Sequence, residues 1–443
     1  MKAAGADAMS FMALESKMLH WFDDDAPDAT GACVAYVDTG AAWVAAAGPL
    51  CRGEDVSTAA DRFVQAARRA GRRACFFGTE RAEVEGFSKE LLGEQPIFRP
   101  REWLSRLPQK RSLREQLRRA RAKGVTIRLV TADDVAKGTA LRAELDALAT
   151  EWLAQRHMAP MQFLVALELF VSPSDHLYLV AEKDGRVVAL LSAVPICARR
   201  GWLAEDIVRS SSAPNGTTEL LLHGLMQHVA ESSELVTLGL TPLSGDVAWT
   251  LGLARGLGSR FFDFQGLRAF RKRLAPHHWQ SVWLLHPRGS HAWTHLLDAL
   301  RAFAGGSMLR FFARSVIRHP GGPPWLLALP LVPWTLALVA IAAFGHAAWL
   351  GFRVEQLSAW SVFDAVMVVL LFRVSARPRP LGLLVTVFAT SLDAVLSIFH
   401  LRSVGLGTGA LEETLRMVAT LAPCVASVML ASALIRRTRL ERE

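Results

Sequence analysis

The spacing of hydrophobic positions changes several times along the chain, and those changes divide it. Residues 33–48, CVAYVDTGAAWVAAAG, alternate on either side of Asp38-Thr39-Gly40 and predict a hairpin. A helix is expected over 55–70, an apolar strand at 74–78 and a second helix over 81–92. This succession predicts a small α/β domain over 1–108. A second succession fills 125–288. It opens with the strand VTIRLVT, then a long helix over 133–155, then strands LYLVAEK and RVVALLSAV joined at Asp184-Gly185. A strand over 201–208 follows, then a polar loop, the Pro214-Asn215-Gly216 turn and a helix from Thr217. The strand LVTLGL, the loop TPLSG and a helix over 247–256 complete the unit. Two similar units in tandem suggest a duplicated transferase fold.

Between the units, residues 109–124 read as a basic linker helix. Arg111, Arg114, Arg118 and Arg121 recur at helical spacing, beside a narrow apolar stripe of Leu113, Leu117 and Ala120. Two readings stay open for it: a solvated linker, or a surface for the phosphates of RNA or anionic lipid.

The last third has a different pattern. Residues 289–322 form an amphipathic juxtamembrane segment, with Leu296, Leu297, Leu300 and Phe303 set against Arg301, Arg310 and Arg314, interrupted at Gly305-Gly306. Within 323–443, the apolar runs 325–344, 357–372, 381–399 and 414–435 are each near the roughly 20 residues a spanning helix needs. Arg314 and Arg318, then Arg373, Arg377 and Arg379, then Arg436, Arg437 and Arg439 mark one side of these runs. Arg353 and Arg402, with Arg416 near a span end, mark the other. The bias predicts a multi-pass inner-membrane protein with four spans, both termini and the soluble units being cytosolic. Asp364 and Asp393 lie inside the second and third runs, where an acid is costly and raises a functional suspicion; bonding to Ser or Thr across a helix interface is the plainer reading.

Composition adds little that the pattern lacks. The chain has 443 residues, 51% of them hydrophobic, enough for two cores and a further apolar region. A net charge of +9 suits anionic partners, and equally a membrane protein with basic flanks. Five cysteines without a CxxC spacing read as reduced core thiols. The first thirty residues, with Asp23, Asp24 and Asp25, give no signal-peptide pattern.

Candidate chemistry concentrates at one strand end. Asp206 and Arg209 stand three apart where side chains leave the sheet, and a helix N-terminus suited to an anion or oxyanion follows. A purely structural Asp–Arg pair fits the same spacing. Glu219 in the first turn of that helix either binds substrate or opposes the helix dipole. His223 and His228 are five apart, not the spacing of a helical metal pair, so no metal is predicted. Asp38-Thr39-Gly40 matches the aspartic protease signature, but it occurs once where that chemistry needs two facing carboxylates.

In order along the chain, GPL at 48–50, EDIVR ending at Arg209, APNGTTELLL from Ala213, LGLTPLSG at 238–245, FDFQGLRAF at 262–270, Pro276 and Trp279 form a series. That series resembles the cytosolic domain of the aminoacyl-phosphatidylglycerol synthases, the lysyl- or alanyl-transferases also called multiple peptide resistance factors. The resemblance covers 9–287. It implies a tandem acetyltransferase-like (GNAT) fold that moves an amino acid from aminoacyl-tRNA to a glycerol hydroxyl of phosphatidylglycerol, without a cofactor. On that reading Asp206 holds the substrate ammonium or accepts the hydroxyl proton, and Arg209 holds a phosphate or orients Asp206. Asn215, Gly216, Glu219 and Gln265 line the substrate, while Arg271, Lys272 and Arg273 grip the tRNA end or the lipid phosphate. The implied partners are aminoacyl-tRNA, an anionic phospholipid and the bilayer.

Two departures stand out. Family members carry a large N-terminal transmembrane flippase, whereas here the apolar runs follow the soluble part. The family's FKxKF segment reads Phe270-Arg271-Lys272-Arg273-Leu274, so both lysines are arginines, which keep charge but give up no proton. The rival readings are an acyl-CoA-dependent N-acyltransferase, whose Q/R-x-x-G-x-G/A pyrophosphate loop is not matched by the corresponding RSSSAPNG of this chain, and a non-catalytic membrane scaffold.

Overall fold

The computed structural model describes residues 5–23, 31–51, 56–156, 159–247, 263–308, 310–311, 314–315, 322–344, 352–376, 379–404 and 410–440. They fall into two compact units, one spanning 1–156 with 160–311, the other 157–159 with 312–443.

The first unit is built on one mixed sheet of twelve strands. In the N-terminal half, β1 (Leu19–Phe22), β2 (Cys33–Asp38) and β3 (Ala42–Ala46) pair antiparallel in sequence. Helix α1 (Val56–Arg69) then crosses over so that β4 (Arg73–Thr79) lies parallel to β3. The expected hairpin at Asp38-Thr39-Gly40 is present. Asp38 accepts from the Gly40 amide at 2.7 Å and from Arg72 at 3.1 Å, so this carboxylate closes a turn.

The expected helix over 81–92 is instead the start of β5 (Phe87–Phe98), a twelve-residue strand near the middle of the sheet. Its Glu, Lys and Leu content favours a helix locally, but pairing on both edges overrides that preference.

In the C-terminal half come α2 (Pro100–Arg106), α3 (Arg111–Ala122), β6 (Thr126–Val130) and α4 (Ala140–Ala154). Helix α4 starts later than the expected 133. Thr131 and Asp134 bond each other, Gly138 takes a φ of +93°, and Thr139 caps the helix by accepting from the Arg142 amide at 3.1 Å. The hairpin of β7 (Leu177–Lys183) and β8 (Arg186–Ile196) turns at Asp184-Gly185, both at positive φ as such a turn requires. Then follow β9 (Gly201–Arg209), α5 (Thr217–Val229) and β10 (Leu235–Thr237), which lies parallel to β9. The expected LVTLGL strand is thus only three residues long, and Gly239 at φ +69° turns the chain away. Strand β11 (Thr241–Pro242) pairs with β5. The helix expected over 247–256 falls outside the described residues from 248 onward. Helix α6 (Phe264–Arg273), β12 (His278–Pro287) and α7 (Ala292–Phe303) close the unit, and α7 stops before Gly305-Gly306 as expected.

The sheet order is β1-β2-β3-β4-β12-β5-β10-β9-β8-β7-β6. Strand β12, from the C-terminal half, pairs with β4 and β5, while β5 from the N-terminal half pairs with β10. Each half gives its last strand to the other. The expected division at 108 therefore crosses a continuous sheet.

Two faces cover the C-terminal part of that sheet. On one, Leu113, Leu117 and Ala120 of α3 pack with Leu221, Leu225 and Met226 of α5 on Leu191 and Ala204. Burying each leucine stabilises this face by about 1.5–3 kcal/mol. On the other, Leu145 and Leu148 of α4 pack on Tyr178, Leu190 and Val208.

The second unit consists of helices. They are α8 (Gly322–Ala343), α9 (Val354–Ala376), α10 (Pro380–Val404) and α11 (Ala410–Leu440). Two stretches among the described residues, Val354–Ala376 and Pro380–Ser403, are long and apolar enough to cross a membrane. The apolar parts of the other two helices, Leu327–Ala343 and Ala419–Ser432, are shorter.

Candidate functional site

Strand β9 carries both residues singled out at the strand end, but it directs them apart. Pairing with β8 is regular from Ser192↔Asp206 to Ala189↔Arg209. Side chains alternate along a strand, so residues three apart lie on opposite faces. Asp206 shares its face with Val208 and Leu190, on the α4 side. Arg209 shares its face with Ile207 and Leu191, towards α3 and α5. The expected Asp206–Arg209 pair is thereby corrected: the two residues belong to two surfaces.

The register holds a second feature. Ser192 opposes Asp206 while Ala193 opposes Ala204, so Glu205 is an extra residue on β9. Such a bulge breaks the alternation and brings neighbouring side chains round to one side. Glu205 and Asp206 therefore enter one acidic cluster rather than facing opposite ways. The cluster draws on distant parts of the chain. Glu15 follows the short 3-10 helix Ala8–Leu14, and Glu168 precedes β7. Glu168 is held by the Ser16 amide at 3.0 Å and the Ser16 hydroxyl at 2.8 Å.

Behind the carboxyls, Tyr178, Ser192 and Asp206 are direct cross-strand neighbours on β7, β8 and β9. Tyr178 donates to the Leu169 carbonyl at 2.7 Å. His176 stacks on Tyr178 with ring centroids 5.3 Å apart and touches Phe11 edge-on. Its Nδ1–H donates to the Ser172 carbonyl at 3.0 Å, which leaves the Nε2 lone pair 3.9 Å from Glu205. Within this cluster, the buried Glu15 Oε1 and Ser192 Oγ have no hydrogen-bond partner among the described residues.

The electrostatics follow from this crowding. Burial pushes the Asp206 carboxyl up to about 7. Burial, with Glu168 and Asp206 nearby, pushes Glu15 up to about 8. Glu205 is raised well above the ordinary carboxylate range by burial and by Asp206, Glu15 and Glu168. Burial also keeps His176 below its ordinary value, so the ring supplies little compensating charge. A cluster that resists its own ionisation gains most from a cationic ligand, because each carboxylate then recovers a partner.

The opposite face is basic. On α3, Leu113, Leu117 and Ala120 are buried, while Arg111, Arg114, Arg118 and Arg121 are exposed. Arg118 pairs with Glu115 at 2.9 Å and Arg114 donates to the Pro108 carbonyl at 2.8 Å. The other expected contacts divide. Asn215, Gln265, Lys272 and Arg273 are exposed, and Glu219 is half-buried in the first turn of α5. Gly216 is buried with φ +94°, and a Cβ there would come within 2.2 Å of the Gln116 carbonyl oxygen. Its role is to let α3 approach the start of α5.

Arg271 is committed elsewhere. It donates to the carbonyls of Leu238 and Gly239 at 2.6 and 2.8 Å and to the Thr241 hydroxyl at 2.7 Å, and burial lowers it to about 10. It pins the loop after β10. The loop after β9 is likewise engaged, since Glu151 accepts from Ser210 and Ser211, at 2.9 Å from the Ser210 hydroxyl.

The spacing D-x-x-R pointed to Asp206 but carried no sign of Glu15, Glu168, Glu205 or His176. Glu205 was in view as the residue before Asp206, and only the bulge brings it into the cluster.

Comparisons with known proteins place the chain in a family. The family described as phosphatidylglycerol lysyltransferase, C-terminal, matches residues 1–286. The lysylphosphatidylglycerol biosynthesis bifunctional protein LysX of Mycobacterium avium (strain 104) is 31% identical over 191 residues, 42% of this chain and 16% of that protein. LysX of Mycobacterium tuberculosis (strain ATCC 25618 / H37Rv) is 29% identical over 199 residues, 44% of this chain and again 16% of the relative. The chain thus matches about a sixth of the length of these curated relatives. Among solved structures, the C-terminal domain of a putative lysylphosphatidylglycerol synthetase from Agrobacterium fabrum is 27% identical. It superposes with a TM-score of 0.58, covering 70% of this chain and 95% of that one. L-PGS from Bacillus licheniformis, 20% identical, shares the fold with a TM-score of 0.58 over 68% of this chain and 93% of its own. A mixed α/β sheet of this form, with a match across all of 1–286, establishes that the chain belongs to the phosphatidylglycerol lysyltransferase C-terminal family.

Proposed function

We propose that the protein is a membrane-bound aminoacyltransferase, moving an amino acid from aminoacyl-tRNA to a hydroxyl of phosphatidylglycerol. The observation that carries this reading is the acidic cluster at the β9 bulge. An aminoacyl ester brings an α-ammonium, and a lysyl ester a second one, to carboxyls that crowd one another and whose charge Lys17 offsets only in part. Family membership supplies the reaction class, and the names of LysX and the Agrobacterium fabrum synthetase agree with it.

In this reading Glu205, Glu15 and Glu168 receive the ammonium. Asp206, beside them and poised near neutrality, accepts the proton of the attacking glycerol hydroxyl. The hydroxyl oxygen forms the new ester bond to the carbonyl carbon and the bond to the tRNA ribose oxygen breaks. That ribose oxygen takes the proton. Arg111, Arg114, Arg118 and Arg121, with Lys272 and Arg273, form the phosphate-binding surface, and Arg209 faces the same side as α3. The resemblance to tandem acetyltransferase-like domains is supported by the repeated strand–helix–strand crossover, β3-α1-β4 and β9-α5-β10, parallel in both halves. Against a CoA-dependent enzyme, the loop that would receive a pyrophosphate is tied to Glu151. Helices α8 to α11 are proposed as four spans in the cytoplasmic membrane with the sheet unit in the cytosol, supported by the basic residues flanking alternate loops.

The test is transfer of radiolabelled lysine or alanine from charged tRNA into phosphatidylglycerol vesicles by the purified full chain. Labelled lipid that appears only with charged tRNA supports the reading. Transfer from an acyl-CoA, or none from either donor, contradicts it.

A further inference from the structure

Of the acids in the cluster, Glu15 alone comes from the N-terminal half. It follows directly on the 3-10 helix Ala8–Leu14, only seven residues long. Asp7 stands at the N-cap position of that helix, yet its side chain makes no capping bond. So short a helix with an uncapped start does not hold its own place, and its position depends on what grips its two ends.

The far end is gripped at the cluster, where the Ser16 amide and hydroxyl donate to Glu168. The near end is gripped by buried charge. Asp7 accepts from the amides of Gly48 and Glu80, both at 3.0 Å. One carboxylate oxygen of Glu80 accepts from the Ala8 amide at 2.6 Å, and the other from Arg199. Arg199 donates in turn to Gln280 at 3.2 Å. The Asp7 and Glu80 side chains are both more than nine-tenths buried. Gly48 is the first residue of the GPL step, and a Cβ there would come within 3.2 Å of Asp7 Oδ2. Glycine leaves room for that carboxylate.

This grip draws on both halves of the sheet. Gly48 follows β3, Glu80 follows β4, Arg199 lies between β8 and β9, and Gln280 is on β12. Between the two ends, Phe11, Met12 and Ala13 share a core with Val194, Ile196 and Leu203 of β8 and β9. Burial pushes the Glu80 carboxyl above its ordinary value, and Arg199 opposes that shift. The cation therefore keeps charge on the oxygens that hold the Ala8 amide, and a charged acceptor holds an amide more strongly than a neutral one.

We propose that Asp7, Glu80 and Arg199 are positioning residues for the transfer reaction, anchoring the start of the segment 8–14 and so setting where Glu15 meets the substrate ammonium. The proposal rests on the acidic cluster as the ammonium site, and it gives the N-terminal half a share in that recognition.

Two readouts on the purified full chain test it, and they separate the anchor from the ammonium reading. The first is hydrogen exchange over 8–18, which needs no ligand. The amides of Ser10, Glu15 and Ser16 are bonded to Asp7, Met12 and Glu168, so they report along the whole segment. Arg199→Gln should speed their exchange at least several-fold while α1 and α4 exchange as in the parent. Arg199→Lys, which keeps the charge, should restore most of the protection. Glu80→Gln, which keeps an acceptor for Ala8 and loses only the ion pair, should show a milder form of the same effect. The second readout is the calorimetric preference for a non-hydrolysable lysyl-adenosine amide over its N-acetylated form. Arg199→Gln should lower that preference several-fold, and adding Glu15→Gln should then lower it little further, since the two residues act as one unit. A parent with no preference removes the ammonium reading and leaves the anchor to be upheld or overturned by exchange alone. Exchange that rises at Ser10 but not at Glu15 and Ser16 overturns the proposal. So does a preference unchanged by Arg199→Gln and Glu80→Gln, or losses that multiply independently in Arg199→Gln/Glu15→Gln.

Discussion

The two faces of strand β9 differ in charge, although a single nine-residue strand serves both. One face gathers Glu15, Glu168, Glu205 and Asp206 around a neutral His176. The other carries Arg209 towards α3, whose exposed side is arginine-rich. Strand alternation separates Asp206 from Arg209, and one bulge adds Glu205 to the acidic side. The lesson is that charge separation across a sheet needs little sequence: two ordinary backbone rules sort adjacent residues onto an acidic face and a basic one.

That contrast can be broken from either side. Asp206→Asn is expected to lower transfer on the order of 100-fold while RNA affinity stays unchanged, because it removes a proton acceptor from the acidic face only. Single-turnover transfer and a binding titration on the same sample check this. From the basic side, replacing Arg111, Arg114, Arg118 and Arg121 together with Gln should weaken RNA binding roughly tenfold and flatten its salt dependence. Transfer at saturating RNA should be preserved. Measuring Kd across a salt series reads both effects.

Arg209→Gln sharpens the comparison, since its spacing groups it with Asp206 and its register groups it with α3. A several-fold rise in KM with kcat nearly unchanged is expected from a phosphate-side residue. A collapse of kcat would return it to the acidic face.

The smallest effect concerns stability. Asp206 and Glu15 ionise near 7 and 8 in the folded chain, against about 4 for an ordinary carboxylate. Between those values the folded chain holds more protons than the unfolded one, so stability falls as pH rises from about 4 to 8. Glu15→Gln removes part of that dependence. Its Tm should exceed that of the parent by roughly a few degrees at pH 8, and the gap should close at pH 4, as differential scanning fluorimetry will show.

Much of the fold was legible because it is local. Asp38-Thr39-Gly40 and Asp184-Gly185 turn hairpins through their own backbone preferences, and the strand, turn and helix over 201–229 follow from residue types in sequence. Strand β5 was not legible, since its helical composition yields to partners at 235–237 and 278–287. The exchange of β5 and β12 is long-range in the same way. The candidate site was half legible. Asp206 stood out through its place at a strand end, whereas Glu15 and Glu168 join it only through packing across 191 and 38 residues of chain. Arg271 looked like a ligand-gripping cation in sequence and serves the loop 238–241 in the fold.

The central claim is that the bulged face of β9 recognises an ammonium. Calorimetric titration with a non-hydrolysable lysyl-adenosine amide, and with the same compound acetylated on its amines, measures that recognition without chemistry or RNA. The account predicts at least roughly tenfold tighter binding of the free amine, with the difference abolished in Glu205→Gln/Asp206→Asn. Equal affinity for the two compounds, or a preference that survives in the double variant, would contradict it.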